Sequence, residues 1–228
     1  GTQFGKMIVA YKKWGDKAAI DKGGVKELHR LYVRFHKEAN SNPDLDNQGR
    51  NWFKRIEAGD EEALSLFYWF KEITMREVSR VYDKLGITFD SYNGESFYND
   101  KMDEIIELLE QKGLLEDSEG AKVVPLDKMP PCLIVKADGA TLYATRDLAA
   151  ALYRKRTYGF DKCLYVVAYQ QNLHFKQVFK VLELMGYDFA KDLHHIAFGM
   201  VSLAEGSMSS RGGNVIYLED VLAKSCKK

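Results

Sequence analysis

The feature that most constrains the fold of this chain is the alternation of strand patterns with helix patterns in its C-terminal part. Apolar strand patterns occur at residues 132–135, 163–168 and 196–201, and helical patterns lie between them at 145–158 and 173–185. Two parallel strands need a long crossover connection, which is usually a helix. We therefore predict an α/β fold in which this region forms part of a doubly wound parallel sheet.

The connection after the first of these strands contains a turn signal. Asp138 and Gly139 form a dipeptide that is typical of a tight hairpin turn. We expect a returning strand over residues 141–143, followed by the first helix of the alternating region.

The residues before the alternating region are polar and strongly helical, from residue 17 to about residue 85. Apolar and aromatic side chains recur there at helical spacing, namely Leu28, Leu31, Tyr32, Phe35, Trp52, Phe53, Ile56, Leu64, Phe67, Trp69 and Phe70. We interpret them as the core of a helical bundle, which is the usual role of such stripes. An exposed face that docks RNA or a partner helix is the alternative. Asn42-Pro43 predicts one break between helices, and Gly59-Asp60-Glu61 predicts the next.

The charge balance and the cysteine content exclude several classes of protein. The 33 Lys and Arg residues equal the 33 Asp and Glu residues, so the chain is not a purely electrostatic nucleic-acid binder. Cys132, Cys163 and Cys226 are spaced too widely for a disulfide framework or a paired-cysteine metal site. No apolar run reaches the roughly 18 residues of a membrane span. We expect a cytoplasmic protein that contacts no membrane.

Candidate binding residues follow the middle strand of the alternating region. In an open parallel sheet, ligands bind outside the carboxyl ends of the strands. The loop after residue 168 contains the amide side chains of Gln170, Gln171 and Asn172, with His174 one turn further on. Amides can recognise a polar planar ligand, whereas His174 and the helix N-terminus favour an anion. Alternatively, one of the amides only caps the helix, and the two interpretations remain open.

The loop after the last strand, residues 205–214, is rich in Gly and Ser and contains one cation, Arg211. Backbone donors, hydroxyl groups and Arg211 suit a flap that closes on phosphate groups. A plain connecting loop is the alternative, and it is the commoner use of such a composition.

Tyr143 and Asp147 lie four residues apart across the predicted strand-to-helix junction, so both side chains can point into one cleft. A carboxylate beside a phenol suits a guanidinium, whose planar fork matches the carboxylate and can stack on a ring. Asp147 could instead cap the helix. His194 and His195 are adjacent in a strand pattern and point to opposite faces, so they cannot share a metal ion. We predict no metal site in the chain.

Four segments carry a family resemblance: GTQFGKM at the start, DGATLYATRDLAAA at residues 138–151, YVVAYQQNLHFKQVFKVLELMG at 165–186 and FGMVSLAEGSMSSRGGNVIYLEDVL at 198–222. In this order they resemble the catalytic domain of arginyl-tRNA synthetases, helical part included. The resemblance implies a class I synthetase with a Rossmann-type core. It also implies ATP-dependent activation of L-arginine to arginyl adenylate and transfer of arginine to the terminal ribose of tRNA(Arg).

The resemblance also implies a domain organisation. Residues 1–14 would be a helix of the catalytic core, and residues 15–129 a mainly helical insertion. Residues 130–228 would be the second half of the Rossmann-type catalytic domain, including its signature loop. The fold class is therefore α/β, with a partial doubly wound parallel sheet.

Roles for individual residues follow from the same resemblance. The arginine pocket corresponds to Tyr143, Asp147 and Gln171. His174 corresponds to a position near the ATP phosphates. The backbone that lies along the adenine corresponds to Met200 and Val201. The signature loop, which stabilises the departing pyrophosphate, corresponds to Ser207, Met208, Ser209, Ser210 and Arg211.

This sequence departs from the family pattern in two places. The His-x-Gly-His element expected upstream of GTQFG does not occur in it, and Ser207 and Gly212 stand where related loops carry lysine. We therefore expect an internal fragment that is inactive by itself. The substrates implied are L-arginine, ATP with Mg²⁺ and, in the full-length enzyme, tRNA(Arg), with no redox cofactor and a monomeric enzyme.

Two alternative functions stay open. The first is a non-catalytic arginine- or RNA-binding remnant of such an enzyme, favoured by the lysine-poor loop. The second is a different class I synthetase, which is disfavoured because Tyr143 and Asp147 suit a cationic side chain.

Overall fold

The computed structural model describes residues 2–137, 143–200, 202–203, 206–207 and 215–225. Within these ranges, no helix combines enough length and apolar character to cross a bilayer. The chain divides into two compact units, Gly1–Asp90 with Val201–Lys228, and Ser91–Met200. We call the first the helical unit and the second the sheet unit.

The helical unit begins with helices whose ends follow the sequence signals. They are α1 (Thr2–Trp14), α2 (Lys17–Ala39), α3 (Asp44–Glu57) and α4 (Glu61–Leu85). The Asp60 side chain accepts a hydrogen bond from the Ala63 N–H at 2.9 Å and so caps α4. Gly86 ends α4 in the left-handed conformation, with φ of 65°. The breaks predicted at Asn42-Pro43 and Gly59-Asp60-Glu61 are therefore confirmed.

The aromatic and apolar stripes form the core of the helical unit, as predicted. The buried members include Leu28, Leu31, Tyr32, Phe35, Phe67 and Phe70. Trp52 packs at the edge of this core, where Arg55 and Lys12 lie 3.9 and 5.3 Å from the centroid of its ring. These rings pack against other residues of the helical unit. This favours the interpretation as a bundle core over the alternative of an exposed face that docks RNA or a partner helix.

Two glycines allow α1 and α3 to approach closely. A Cβ atom built on Gly5 would lie 2.0 Å from the carbonyl oxygen of Gly49, and one built on Gly49 would lie 2.9 Å from Cγ of Lys6. Nζ of Lys6 also pairs with Asp46 of α3 at 2.7 Å. Ile8 is fully buried next to this crossing. The backbones can therefore touch only because neither position carries a side chain.

The sheet unit mixes helices and strands around one core. After a 3₁₀ helix at Glu95–Lys101 it contains α5 (Met102–Gln111), β1 (Glu116–Ser118), β2 (Ala121–Val124), β3 (Cys132–Val135), α6 (Tyr143–Tyr158), β4 (Cys163–Ala168), α7 (Asn172–Leu184) and β5 (Leu193–Phe198). Its core includes the buried side chains of Ile105, Leu109, Ile134, Leu148, Val178, Val181 and Leu182. Gly113 follows α5 with φ of 64°, a left-handed conformation that is typical of a helix end.

The parallel pair of the sheet unit is β4 with β5. The two strands pair from Cys163 opposite Leu193 to Ala168 opposite Phe198, and α7 lies in the connection between them. This βαβ unit confirms the predicted α/β alternation. β5 starts earlier than the predicted strand at 196–201, because Leu193 is already buried and paired. Met200 consequently lies beyond the end of the strand.

The pairing of β3 differs from the predicted alternation. Among the described residues, β1, β2 and β3 form an antiparallel sheet, with Val124 opposite Cys132. The apolar pair Val123 and Val124 gives β3 a partner nearby in the chain, and a short connection closes at a low entropic cost. The returning strand predicted over 141–143 is also corrected at its last residue, since Tyr143 is the first residue of α6. The predicted turn at residues 138 and 139 and the other two residues of that strand lie outside the described residues.

The C-terminal residues that the structure describes belong to the helical unit. They form β6 (Ser202–Leu203), β7 (Gly206–Ser207), which pairs with β6, and α8 (Leu218–Ser225). The Tyr217 hydroxyl lies 3.2 Å from Nδ1 of His29, and Lys84 forms an ion pair with Glu219. α8 is thereby attached to α2 and α4.

The domain assignment made from the sequence remains a prediction. It separates residues 1–14 from 15–129 and from 130–228. In the structure, α1 packs on α2, α3 and α4, and the boundary between the compact units lies between Asp90 and Ser91.

We expect Gly5→Ala to destabilise the chain by about 1–3 kcal/mol, the usual cost of overpacking a tight site. The added methyl group would collide with the Gly49 backbone, which cannot swing away as a flexible side chain would. Gly94→Ala is the control, because a Cβ atom there meets nothing within 4 Å. Urea denaturation followed by circular dichroism measures both variants. An unfolding free energy of Gly5→Ala equal to that of Gly94→Ala would contradict the close crossing.

Candidate functional site

The candidate site lies in the sheet unit, where α6 and α7 begin. α7 follows the carboxyl end of β4 after a short 3₁₀ turn at Tyr169–Gln171. The first turn of α6 is attached to β3, because the buried Thr145 hydroxyl donates a hydrogen bond to the Ile134 carbonyl at 2.6 Å. Leu148, one turn further on, is fully buried. The start of α6 is therefore held both by a strand and by the core.

Tyr143 and Asp147 lie on one face of α6, so they share one side of the site although Tyr143 belongs to the helix and not to the predicted strand. They are one turn apart, and the Tyr143 side chain is exposed whereas Asp147 is half-buried. Asp147 is too far into the helix to cap it, because the unpaired N–H groups belong to the first turn. The alternative in which Asp147 is only a helix cap is therefore not supported.

Asp147 contacts His174 directly. Nε2 of His174 lies 2.5 Å from Oδ2 of Asp147, and the two side chains retain 20% and 34% of their exposure, respectively. Among the described residues, this contact joins the first turn of α7 to the second turn of α6. It brings together two residues that the family resemblance assigns to different substrates.

Gln171 occupies the N-cap position of α7 but does not cap it. Its side chain makes no capping hydrogen bond to the helix, and it is exposed. Gln171 precedes His174 by three residues, which is about one turn. The capping alternative therefore does not describe Gln171, whose amide stays available to a ligand.

The His174 ring packs against a cluster of aromatic side chains that extends to the parallel strands. His174 packs edge-on against Phe175, with 5.2 Å between the ring centroids, and Phe175 is buried. Phe175 in turn packs against Tyr165 at 4.9 Å and against His195 at 4.6 Å. Nε2 of His195 lies 2.9 Å from the Val167 carbonyl oxygen of β4. The imidazole of His174 thus rests on rings that are anchored to the parallel strands.

The remaining predicted site residues follow β5. Met200 lies beyond the strand and is exposed. Ser207 lies in β7. Val201 and the rest of the predicted signature loop lie outside the described residues, namely Met208, Ser209, Ser210 and Arg211.

The described residues contain no group of three His, Cys, Asp or Glu side chains that could hold a metal ion. His194 is exposed whereas His195 faces Phe175, so the two histidines lie on opposite faces, as predicted. Cys132 is buried, and burial raises the pKa of its thiol to about 12. This thiol therefore stays protonated near neutral pH and does not serve as a nucleophile.

Sequence reasoning missed the residues that orient the site. Thr145 and Phe175 carry no motif of their own, and each is recognised only by its buried partner in another element. A weak signal for the contact of Asp147 with His174 did exist, because both residues stand close to the starts of helices in one βαβ region. The spacing alone could not show that the two side chains meet.

Comparison with known proteins identifies related sequences and structures. The family model of tRNA synthetases class I (R), catalytic domain, matches residues 1–228. The chain is 59% identical over 230 residues to the arginine–tRNA ligase of Clostridioides difficile, with all of this chain and 41% of that protein covered. It is 58% identical to the arginine–tRNA ligase of Alkaliphilus metalliredigens, with 97% of this chain and 40% of that protein covered. The chain thus spans about two fifths of the length of these curated relatives.

Two solved structures share the fold across the whole chain. The arginyl-tRNA synthetase of Plasmodium falciparum superposes with a TM-score of 0.76 at 23% identity, over 37% of that chain. The arginyl-tRNA synthetase of Thermus thermophilus superposes with a TM-score of 0.75 at 18% identity, over 44% of that chain. At these identities the likeness shows the fold, which is that of a class I catalytic domain with a Rossmann-type core.

We expect Thr145→Val to lower the free energy of unfolding by about 1–3 kcal/mol, because it leaves the buried Ile134 carbonyl without its hydrogen bond. Thr157→Val is the matched control, since Thr157 lies on the same helix and is exposed. Urea denaturation of the two variants measures the difference. Equal stabilities would show that the hydroxyl does not hold α6 to β3.

Proposed function

This chain belongs to the family of class I (R) tRNA synthetases, and from that premise we propose that it carries the arginine-binding part and the signature loop of an arginine–tRNA ligase. The enzyme would activate L-arginine with ATP and transfer it to tRNA(Arg). The family match over residues 1–228 is the observation that carries the proposal. The names of the relatives, which are 58% and 59% identical to this chain, support it.

The proposed arginine pocket consists of Tyr143, Asp147 and Gln171. A guanidinium can form two parallel hydrogen bonds to the Asp147 carboxylate and can pack against the Tyr143 ring. The Gln171 amide, which does not cap α7, can accept or donate a further hydrogen bond. An ammonium group cannot match the carboxylate in the same planar way, so the pocket favours arginine over lysine.

The proposed reaction has two steps. An oxygen of the arginine carboxylate attacks the α-phosphorus of ATP, the bond to the bridging oxygen breaks, and pyrophosphate leaves. A hydroxyl of the terminal ribose of tRNA(Arg) then attacks the carbonyl carbon, and AMP leaves. Neither step needs a redox cofactor or a covalent enzyme intermediate, so the protein acts by positioning the substrates and stabilising charge.

The site residues that follow β5 are proposed to bind ATP. Backbone groups of Met200 and Val201 would lie along the adenine, and the signature loop at residues 207–211 would stabilise the departing pyrophosphate. Mg²⁺ would enter with the phosphates of ATP. The proposal includes a monomeric enzyme of the cytoplasm that contacts no membrane.

The composition of the signature loop favours a second candidate function. Arg211 is the only cation between residues 205 and 214, and Ser207 and Gly212 replace the lysines of related loops. A chain with so little positive charge there suits a non-catalytic module that binds arginine or RNA. Calorimetry separates the two candidates, because an enzyme binds both arginine and ATP, whereas a remnant of this kind binds arginine without ATP.

We expect Asp147→Asn in the full-length protein to raise the KM for arginine by at least about tenfold, which corresponds to about 1.4 kcal/mol. The amide replaces one acceptor with a donor, so the guanidinium loses one of its two hydrogen bonds and the charge attraction. ATP–pyrophosphate exchange is measured once at varied arginine and once at varied ATP. The KM for ATP should stay within about twofold of the value of the unmutated protein.

Asp161→Asn is the matched control for this variant. Asp161 is an exposed carboxylate of the same unit, in the turn before β4. Its substitution should leave both Michaelis constants unchanged. If Asp147→Asn behaves like Asp161→Asn, Asp147 does not belong to the arginine pocket.

A further inference from the structure

The contact between Asp147 and His174 links the proposed arginine pocket to a residue outside it. Nε2 of His174 lies 2.5 Å from Oδ2 of Asp147, and both side chains are partly buried. A hydrogen bond to an ionised carboxylate is stronger than a hydrogen bond between two neutral groups. The contact therefore restrains the rotation of the Asp147 carboxyl group.

The His174 ring is itself restrained. It packs edge-on against Phe175, and Phe175 packs on the neighbouring rings of Tyr165 and His195. His195 is bonded to the Val167 carbonyl of β4. Because the imidazole is held in one orientation, its hydrogen bond also holds the contacting carboxylate in one orientation.

A carboxylate has about four lone-pair positions on its two oxygens. The bond from His174 uses one position on Oδ2 and leaves lone pairs on both oxygens in the carboxylate plane. A guanidinium makes two hydrogen bonds to a carboxylate only when the carboxylate plane has a fixed orientation, because its two N–H groups are coplanar and point in fixed directions. An ammonium has no such requirement. The orientation of the plane therefore favours a guanidinium over an ammonium.

A phosphate group fits poorly at His174. The Asp147 carboxylate already lies within hydrogen-bond distance of Nε2, so an anion there would meet a like charge. The positive end of α7 attracts anions, but the same end also stabilises the Asp147 carboxylate that contacts its first turn. The local charge pattern suits a cationic ligand next to Asp147.

We infer that His174 is a positioning residue of the arginine pocket, which acts by orienting Asp147, and not a residue that contacts the ATP phosphates. The inference rests on the proposed function. It assigns His174 a part in selecting the guanidinium side chain.

The test is ATP–pyrophosphate exchange by the full-length protein with three substitutions. His174→Leu removes the hydrogen bond, and His174→Gln retains a donor of similar reach. Lys176→Gln is the control, because it removes a cation from the same helix at an exposed position. We expect His174→Leu to raise the KM for arginine about tenfold, as for a lost hydrogen bond to a charged group. The KM for ATP should stay within about twofold, and His174→Gln should recover most of the loss.

The reverse pattern overturns the inference. If His174→Leu raises the KM for ATP and leaves that for arginine unchanged, His174 serves the phosphates. If neither constant changes relative to Lys176→Gln, the contact has no role in binding. If His174→Leu does not fold, His174→Ala, which also removes the hydrogen bond, takes its place and is judged by the same two constants.

A double substitution separates this inference from the proposed function. With Asp147→Asn in place, adding His174→Leu should raise the KM for arginine by less than about twofold, because the group that it orients is gone. A full tenfold further increase would mean that His174 acts independently of Asp147. If Asp147→Asn itself has no effect on arginine, the arginine pocket is misassigned, and the proposed function fails at its site.

Discussion

The parallel pairing of β4 with β5 is the constraint on which the candidate site depends. Two parallel strands that are adjacent in the sheet must be joined by a crossover, and here α7 lies in that crossover. α7 therefore starts next to the carboxyl end of β4, where its first turn carries His174. The same strands anchor the aromatic cluster below that turn, through the bond of His195 to the Val167 carbonyl. The register of one strand pair thus sets the position of the imidazole.

α6 reaches the site by a different route. Its first turn is held by the Thr145 hydroxyl, which donates to the Ile134 carbonyl, and by the burial of Leu148. These attachments leave Tyr143 and Asp147 on the opposite, accessible side of the helix. Because Asp147 then meets His174, the beginnings of α6 and α7 are joined by a contact between a carboxylate and an imidazole. A site made at two helix starts combines backbone partial charges with charged side chains, which suits a ligand that carries both signs of charge.

In the helical unit, local sequence patterns predict the helix ends and the buried rings. Its helix ends follow from Asp60, Gly86 and the Asn42-Pro43 break, and its buried rings follow from helical spacing. The contact between α1 and α3 does not follow in that way. Gly5 and Gly49 are separated by most of α1, all of α2 and the start of α3, and each alone reads as a weak helix former. Their use as a close crossing appears only when the two helices are packed together.

Hydrophobic period, turn residues and family motifs are local properties of the chain, so the helices of the helical unit, the β4–α7–β5 alternation and the candidate site residues could be predicted from the sequence. Tyr143, Asp147, Gln171 and His174 could all be singled out in this way. Three features became visible only in the folded chain: the pairing of β3 with β2, the start of α6 at Tyr143, and the contact of Asp147 with His174. The pairing of β3 was settled by a partner strand close to it in the chain, which competes with the more distant parallel strands. The contact of Asp147 with His174 depends on how α6 and α7 pack on a common core, and no spacing along the chain signals such packing.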